Sequence, residues 1–228
     1  MLISCQKDSE LVTGGITGIV SVYNQDITMR SDQSGVEVRL YQNAELIDHT
    51  LTDINGRYAF QSVPYGKYNL EMHLTDFVAS KGPHTVYHVG GYSPTIFNGD
   101  VYEIPTFELA LDSMFFDDFR YSFTACLKIR GIANLPYDFY PLRGFAGNSP
   151  DVSKDKYTAR LYGILAGWLS TPETDYGILN YWDWDLESLK SDTIYVRLYP
   201  LAFGQGDFYN FENEALGKPS NVVGFIWK

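Results

Sequence analysis

Short segments in which apolar and polar residues alternate dominate the chain, and turn residues separate them. The clearest example follows Thr52, where Tyr58 and Phe60 are two positions apart and a turn at Val63–Gly66 leads into a second run. In that run an apolar set alternates with a polar set: Tyr68, Leu70, Met72 and Leu74 against Lys67, Asn69, Glu71 and His73. Because residues two apart share one face of a strand, the pattern predicts two antiparallel strands that each bury one face.

The rest of the first half has the same period of two. Segments with one apolar face are centred on Ile16, Gly18, Val20 and Val22; on Val36, Val38 and Leu40; and on Phe107, Leu109 and Leu111. Further strands are predicted at Glu45–Leu51 and Thr85–Val89. Many short strands separated by Gly, Pro and Asn turns favour a β-sandwich over alternating β and α units.

The second half begins with the longest alternation in the chain. Its apolar set is Phe119, Tyr121, Phe123, Ala125, Leu127 and Ile129, and its polar set includes Cys126, Lys128 and Arg130. Later strands are predicted at Tyr157–Leu165, Thr193–Tyr199 and Asn221–Trp227. We expect a second sandwich of about seven strands, of immunoglobulin or fibronectin type.

The segment Asp112–Asp118 is interpreted as the boundary between the two halves. This gives a polar N-terminal tether over residues 1–12, a first β-sandwich over 13–111 and a second over 112–228. The predicted fold class is therefore all-β, with two β-sandwich domains in tandem.

The first half resembles a known family. Residues 52–70 contain the pattern T-D-x-x-G-x-Y-x-F-x-x-V-x-x-G-x-Y-x-L, and Gly18-Ile19-Val20 and Gly35–Leu40 match the family's earlier strands. This pattern is similar to that of the carboxypeptidase regulatory-like domain, a transthyretin-like or Cna-B-like β-sandwich. The resemblance implies the fold and an accessory or stalk role, and it implies no catalytic activity.

Composition narrows the range of partners. The chain has 228 residues with Lys plus Arg at 17 and Asp plus Glu at 28, so its net charge is 17 − 28 = −11. An acidic chain repels phosphate backbones, and nucleic acid is not an expected partner. Aromatic residues make up 16%, including 18 Tyr, which suits both strands and binding surfaces.

The N-terminal sequence Leu2-Ile3-Ser4-Cys5 resembles a bacterial lipobox, in which the cysteine carries a diacylglyceryl anchor. The polar stretch Gln6–Glu10 that follows resembles the signal that sends some lipoproteins to the outer face of the outer membrane. The resemblance implies lipidation at Cys5, a membrane partner and a surface-exposed outer-membrane location. The other cysteine, Cys126, would then have no disulfide partner.

The strongest candidate for ligand binding lies between Asp175 and Asp185. It combines rings that could stack on sugar C–H faces with carboxylates that could orient hydroxyls: Tyr176, Tyr181, Trp182, Trp184, Asp183 and Asp185. The alternative is that Trp182 and Trp184, two positions apart, are an inward pair that packs the second core. Aromatic residues at the end of a sandwich could equally mark a protein contact.

No catalytic, metal or cofactor motif accompanies these features. His84 and His88 have a helical metal-ligand spacing, but their segment favours a strand, in which four residues span about 13 Å. The sequence has no G-x-S-x-G, H-E-x-x-H or phosphate-binding glycine loop. We therefore expect a non-catalytic, lipid-anchored envelope protein without a metal or cofactor. A glycan-binding accessory of a polysaccharide-uptake system is favoured over an adhesive protein–protein module, and both over a hydrolase.

Overall fold

The computed structural model of this chain is all-β, as predicted. It describes residues 12–80, 83–117, 122–131, 139–166, 176–179, 189, 192–203 and 215–226. Its strands, numbered in chain order, are β1 (Thr13–Tyr23), β2 (Glu37–Gln42), β3 (Glu45–Leu51), β4 (Arg57–Pro64), β5 (Gly66–His73), β6 (Phe77–Ala79), β7 (His84–His88), β8 (Thr95–Ile96), β9 (Gly99–Glu103), β10 (Glu108–Asp117), β11 (Ser122–Arg130), β12 (Phe139–Gly147), β13 (Ala159–Ala166), β14 (Tyr176–Leu179), β15 (Thr193–Pro200) and β16 (Val222–Ile226).

Contacts divide the chain into two compact units. The first unit contains residues 12–22 and 29–101 among those described, and the second contains Tyr23–Thr28 and the chain from Tyr102 onward. The predicted boundary at 111/112 falls inside β10, which continues from Glu108 to Asp117. Phe107, Leu109 and Leu111 do alternate as expected, but they are buried in the core of the second unit. Alternation identifies the inward face of a strand and does not say which core that face covers.

The first unit is a β-sandwich of two sheets. One sheet has the order β4-β1-β9-β6, with β8 pairing beside β1, and the other has the order β3-β2-β5-β7. The predicted inward residues form the core between them: Ile16, Val20, Val22, Val36, Val38, Leu40, Tyr58, Phe60, Tyr68, Leu70 and Met72 are all buried there. The strands predicted from their alternation in this half are confirmed.

The geometry of the turn that precedes β4 shows why the T-D-x-x-G pattern has Thr, Asp and Gly at its fixed positions. The buried Thr52 hydroxyl donates to the Gln33 carbonyl at 2.7 Å and accepts the Val36 N–H at 3.1 Å. The Asp53 carboxylate accepts the Asn55 N–H at 2.8 Å and the Arg57 N–H at 2.9 Å, as in an Asx-turn. Gly56 has φ = 74°, and a Cβ there would collide with the Val20 carbonyl. The motif therefore holds a tight turn against β1.

The described strands of the second unit form one antiparallel sheet in the order β10-β11-β14-β13-β12-β15-β16. Its main core contains Phe107, Leu109, Leu111, Ala125, Leu127, Tyr140, Leu142, Ile194, Val196 and Leu198. The inward set predicted for 193–199 is confirmed, since Ile194, Val196 and Leu198 are all buried. A smaller cluster of Phe145, Val152 and Tyr199 covers the other face of β12 and β15.

Gln25 lies at the centre of the short segment Tyr23–Thr28 that belongs to the second unit. Its N–H donates to the Glu103 carboxylate at 2.9 Å, and its side-chain carbonyl accepts the Thr106 N–H at 2.9 Å. Its backbone carbonyl accepts the Tyr140 hydroxyl at 3.3 Å. Burial raises the pKa of Tyr140, and the nearby carboxylates of Glu103 and Asp26 raise it further. Gln25 thus links Glu103, Thr106 and Tyr140 of the second unit through its backbone and its side chain.

Candidate functional site

An open groove of about 770 Å³ lies on the first unit, where β1 and β4 meet the end of β3. Its walls come from four segments: Thr17–Ile19, Thr50–Asp53, Arg57–Ala59, and the pair Ile96 and Asn98. The sequence alone did not identify it, because its walls come from strands that are distant along the chain.

Strand pairing explains which side chains face the groove. Thr17 lies opposite Ala59, Ile19 lies opposite Arg57, and Ile96 pairs beside Thr17. Since Ile16 and Val20 are buried in the core, Thr17 and Ile19 of β1 face outward. Ile19, Leu51 and Ile96 are exposed there. The groove therefore has aliphatic walls around the small side chains of Thr17 and Ala59.

The fold already uses several polar groups of the groove, while the exposed Arg57 side chain adds one charge to its lining. The Asn98 side-chain oxygen accepts the Ile19 N–H at 2.9 Å, and the Asp53 carboxylate accepts two N–H groups of its own turn. The Tyr58 hydroxyl donates to the Phe97 carbonyl at 2.8 Å, and burial raises the pKa of Tyr58 above its ordinary value of 10.0. An aliphatic surface with engaged polar groups suits an apolar peptide side chain better than a sugar ring, which would need an exposed aromatic face.

The predicted aromatic site begins on a strand. Tyr176 starts β14, which lies between β11 and β13 in the second sheet. In the pairing, Tyr176 lies opposite Cys126 and Leu179 lies opposite Phe123. The remaining predicted residues, Tyr181, Trp182, Asp183, Trp184 and Asp185, lie outside the described residues, so the site stays a prediction.

The register gives the position of the end of β14 in the sheet. Leu179 lies opposite Phe123, at the end of the sheet where β10 finishes at Asp117 and β11 begins at Ser122. Ala166, the last residue of β13, pairs with both Ile178 and Phe139. Leu179, the last residue of β14, therefore lies near the termini of β10, β11 and β13, and residues 180–185 come next in the sequence.

His84, His88 and Cys126 lie on strands of the described structure. His84 and His88 are the first and last residues of β7, which confirms the predicted strand. The buried His88 ring contacts the Thr95 hydroxyl at 2.7 Å and the Val63 carbonyl at 3.1 Å. Cys126 is free and lies on the partly exposed face of β11, as its alternation predicted. Cys5 lies outside the described residues.

Neither a metal-binding cluster nor a membrane-spanning helix occurs among the described residues. Among them there is no group of three or more His, Cys, Asp or Glu side chains arranged to hold a metal ion. In the same part of the chain, no helix has the length and hydropathy needed to cross a membrane.

Comparison with known proteins places the first unit in the β-sandwich class. Residues 14–91 match the family model for the second β-sandwich domain of BOS complex subunit NOMO1-like proteins. Comparison with curated proteins gives no match.

Three solved structures illustrate the wider likeness. A DUF3823 family protein from Bacteroides ovatus is 16% identical, with 95% of this chain and 100% of that chain covered and a TM-score of 0.31. A candidate carbohydrate-binding protein from Bacteroides uniformis is 13% identical, with 94% and 99% covered and a TM-score of 0.30. BcpA, the major pilin subunit of Bacillus cereus, is 10% identical, with 92% and 69% covered and a TM-score of 0.38. At these values the likenesses say nothing about the ligand or assembly of the present chain. The family match and the two sheets of the first unit together establish a β-sandwich there.

Proposed function

We propose that this chain is a non-catalytic, lipid-anchored protein of the bacterial outer surface that binds glycan for a polysaccharide-uptake system. Its first β-sandwich would act as the accessory or stalk module that the carboxypeptidase regulatory-like resemblance implies. Its second unit would present the ligand-binding residues. The anchor would be the lipid on Cys5, followed by a polar tether.

The position of β14 carries the glycan part of the proposal. This strand is interior to the second sheet, and it leads from Leu179 straight into the segment with Tyr181, Trp182 and Trp184. Binding residues are often found on segments held by a rigid scaffold at the end of a sheet. Aromatic rings next to carboxylates at such an end are suited to stacking on a sugar and orienting its hydroxyls.

The groove of the first unit favours a second candidate function, contact with another envelope protein. Its exposed Ile19, Leu51 and Ile96 offer aliphatic surface, and β4 is an edge strand of its sheet. A partner segment could pair with an exposed strand edge and place apolar side chains in the groove.

A double variant separates the two functions. Glycan-array or affinity-gel binding should be lost in Trp182→Ala/Trp184→Ala while the melting temperature stays that of the wild type. A matched control, Tyr87→Ala/Tyr92→Ala, removes two exposed rings from the first unit and should retain glycan binding. Unfolding of the Trp variant would instead support core packing by those rings, and unchanged glycan binding would contradict the proposed site.

The anchor and the absence of catalysis have separate tests. Mass spectrometry of the native full-length product should find a lipid on Cys5, and Cys5→Ser should release the protein from membranes. An unmodified Cys5 would contradict the anchor and leave the glycan proposal standing. Hydrolysis of a polysaccharide by the purified protein would contradict the non-catalytic assignment.

A further inference from the structure

One end of the first unit carries a patch of exposed large apolar side chains, which we call the tether end. It consists of Val12, Tyr65, Tyr87, Val89 and Tyr92. Tyr87 is 70% exposed, Val89 77% and Tyr65 61%, and Tyr92 is fully exposed. Single exposed apolar residues are ordinary, but a group of them at one place indicates an interaction surface.

Backbone contacts bring the three segments of the tether end together. The Tyr65 N–H donates to the Val12 carbonyl at 3.0 Å, and the Gly91 N–H donates to the Thr13 carbonyl at 2.9 Å. Lys67 lies opposite Tyr87 in the β5–β7 pair, and its ammonium lies 5.9 Å from the centre of that ring. The start of β1, the β4–β5 turn and the end of β7 thus form one continuous surface.

The charge of the tether end differs from that of the whole chain. The chain has 28 Asp and Glu residues, yet the segments 12–14, 63–67 and 87–94 contain none. Lys67 is the one lysine or arginine in those segments. These three segments bear tyrosines and one cation and no carboxylate, so they would meet less repulsion from anionic lipid headgroups than the rest of this acidic chain, even though Glu45 lies in the neighbouring β2–β3 turn and Asp8 and Glu10 lie in the tether.

The short tether between Cys5 and Val12 points to the membrane as the partner of this patch. Val12 follows Cys5 by seven positions, so a fully extended tether spans at most about 25 Å. We propose that the tether end rests on the bilayer surface to which Cys5 is anchored, with its tyrosines at the headgroup level. This inference relies on the lipid anchor of the proposed function. Tyrosine suits that position because its ring is apolar and its hydroxyl stays hydrated.

Membrane contact at the tether end also sets the position of the groove. Thr13 and Ile19 are six positions apart on β1, a distance of about 20 Å along the strand. The groove around Ile19 would therefore lie at most about that distance from the part of the unit that contacts the lipid.

Vesicle flotation tests the inference on the full chain without its lipid. The Cys5→Ser protein should float with vesicles of phosphatidylethanolamine and phosphatidylglycerol, and adding Tyr65→Ser/Tyr92→Ser should reduce the bound fraction about tenfold. The control, Leu51→Ser/Ile96→Ser, removes exposed apolar side chains from the groove and should float like the parent protein. Only variants that keep the melting temperature of the parent protein are compared.

Two outcomes would overturn the inference. One is equal flotation of the tyrosine variant and its parent, or no flotation of either. The other is concentration-dependent self-association in solution that the same tyrosine substitutions abolish, which would assign the patch to a second copy of the chain. Tyrosine-dependent flotation together with an unmodified native Cys5 would support lipid binding by the patch, but it would refute the anchor and with it the inferred position of the patch beside Cys5.

Discussion

The side chain of Asn221 makes both of the hydrogen bonds that a neighbouring strand would make to Leu111. The Leu111 N–H donates to the Asn221 side-chain oxygen at 2.7 Å, and the Asn221 amide donates to the Leu111 carbonyl at 2.7 Å. Leu111 is on β10 and Asn221 immediately precedes β16, the two edge strands of the second sheet. One amide side chain therefore joins the edges of the sheet and satisfies a backbone pair that would otherwise need water.

Asn221→Ala should lower the free energy of unfolding by about 1–2 kcal/mol, because two hydrogen bonds to Leu111 are lost. Asn221→Asp should also destabilise, since a carboxylate can accept the Leu111 N–H but repels its carbonyl. Urea denaturation measures both effects, with Asn148→Ala in an exposed loop as the control. Equal stability of Asn221→Ala and the wild type would show that the bridge contributes nothing.

Gly56→Ala should destabilise the first unit by at least about 2 kcal/mol, because the new Cβ meets the Val20 carbonyl and the residue must keep φ = 74°. Gly35→Ala provides the matched control. Gly35 has φ = 84° but nothing lies near its Cβ position, so its replacement isolates the cost of the backbone angle, about 1 kcal/mol. Calorimetry of the two variants should show the larger loss at Gly56; equal losses would rule out the steric contribution.

Ala44→Gly should stabilise the protein by about 0.5–1 kcal/mol. Asn43 and Ala44 form the two-residue turn between β2 and β3, with φ of 51° and 67°. Such a turn prefers Asn-Gly, because alanine is strained at positive φ. In contrast, Ala59→Gly within β4 should destabilise. A lower melting temperature for Ala44→Gly would contradict the strain at this turn.

Alkaline pH should destabilise the protein through Tyr58. Burial raises the pKa of its hydroxyl above the ordinary 10.0, so the folded state favours the neutral form. That stability is fully present below the unfolded pKa and is lost as the pH rises through the folded pKa.

The comparison of Tyr58→Phe with the wild type across pH measures this effect. At neutral pH, Tyr58→Phe should be less stable by about 1 kcal/mol, because the Phe97 carbonyl loses its donor. The difference should shrink above pH 10, the ordinary tyrosine pKa, since phenylalanine does not ionise. Tyr92→Phe, at a fully exposed position, should follow the wild-type curve. Parallel curves for Tyr58→Phe and the wild type would contradict the prediction.

Local alternation predicted many of the strands, but not β12 (Phe139–Gly147) or the second half of β10. Val36, Val38 and Leu40, and later Ile194, Val196 and Leu198, are buried as their spacing requires. This works because the direction of a side chain on a strand depends only on its own position. The turn at Asp53 and Gly56 was also predictable, since its hydrogen bonds join residues a few positions apart.

Features that depend on pairing between distant residues were not predictable. Leu109 lies opposite Ile129, and this register, which the sequence does not display, places β10 with the second core. The groove has the same origin, because Ile19, Leu51 and Ile96 come together only through the pairing of separate strands. A possible sequence signal was an aliphatic residue, Ile19, on the otherwise small and polar outward face of β1.

The segment around Gln25 has a consequence for the order of folding during synthesis. Its hydrogen-bond partners Glu103, Thr106 and Tyr140 lie 78, 81 and 115 positions later in the chain. When the strands of the first unit have been synthesised and have paired, Gln25 still lacks these three partners, because they belong to the later part of the chain. A chain halted before residue 102 would fold its sandwich and still display Gln25 to any chaperone that meets it.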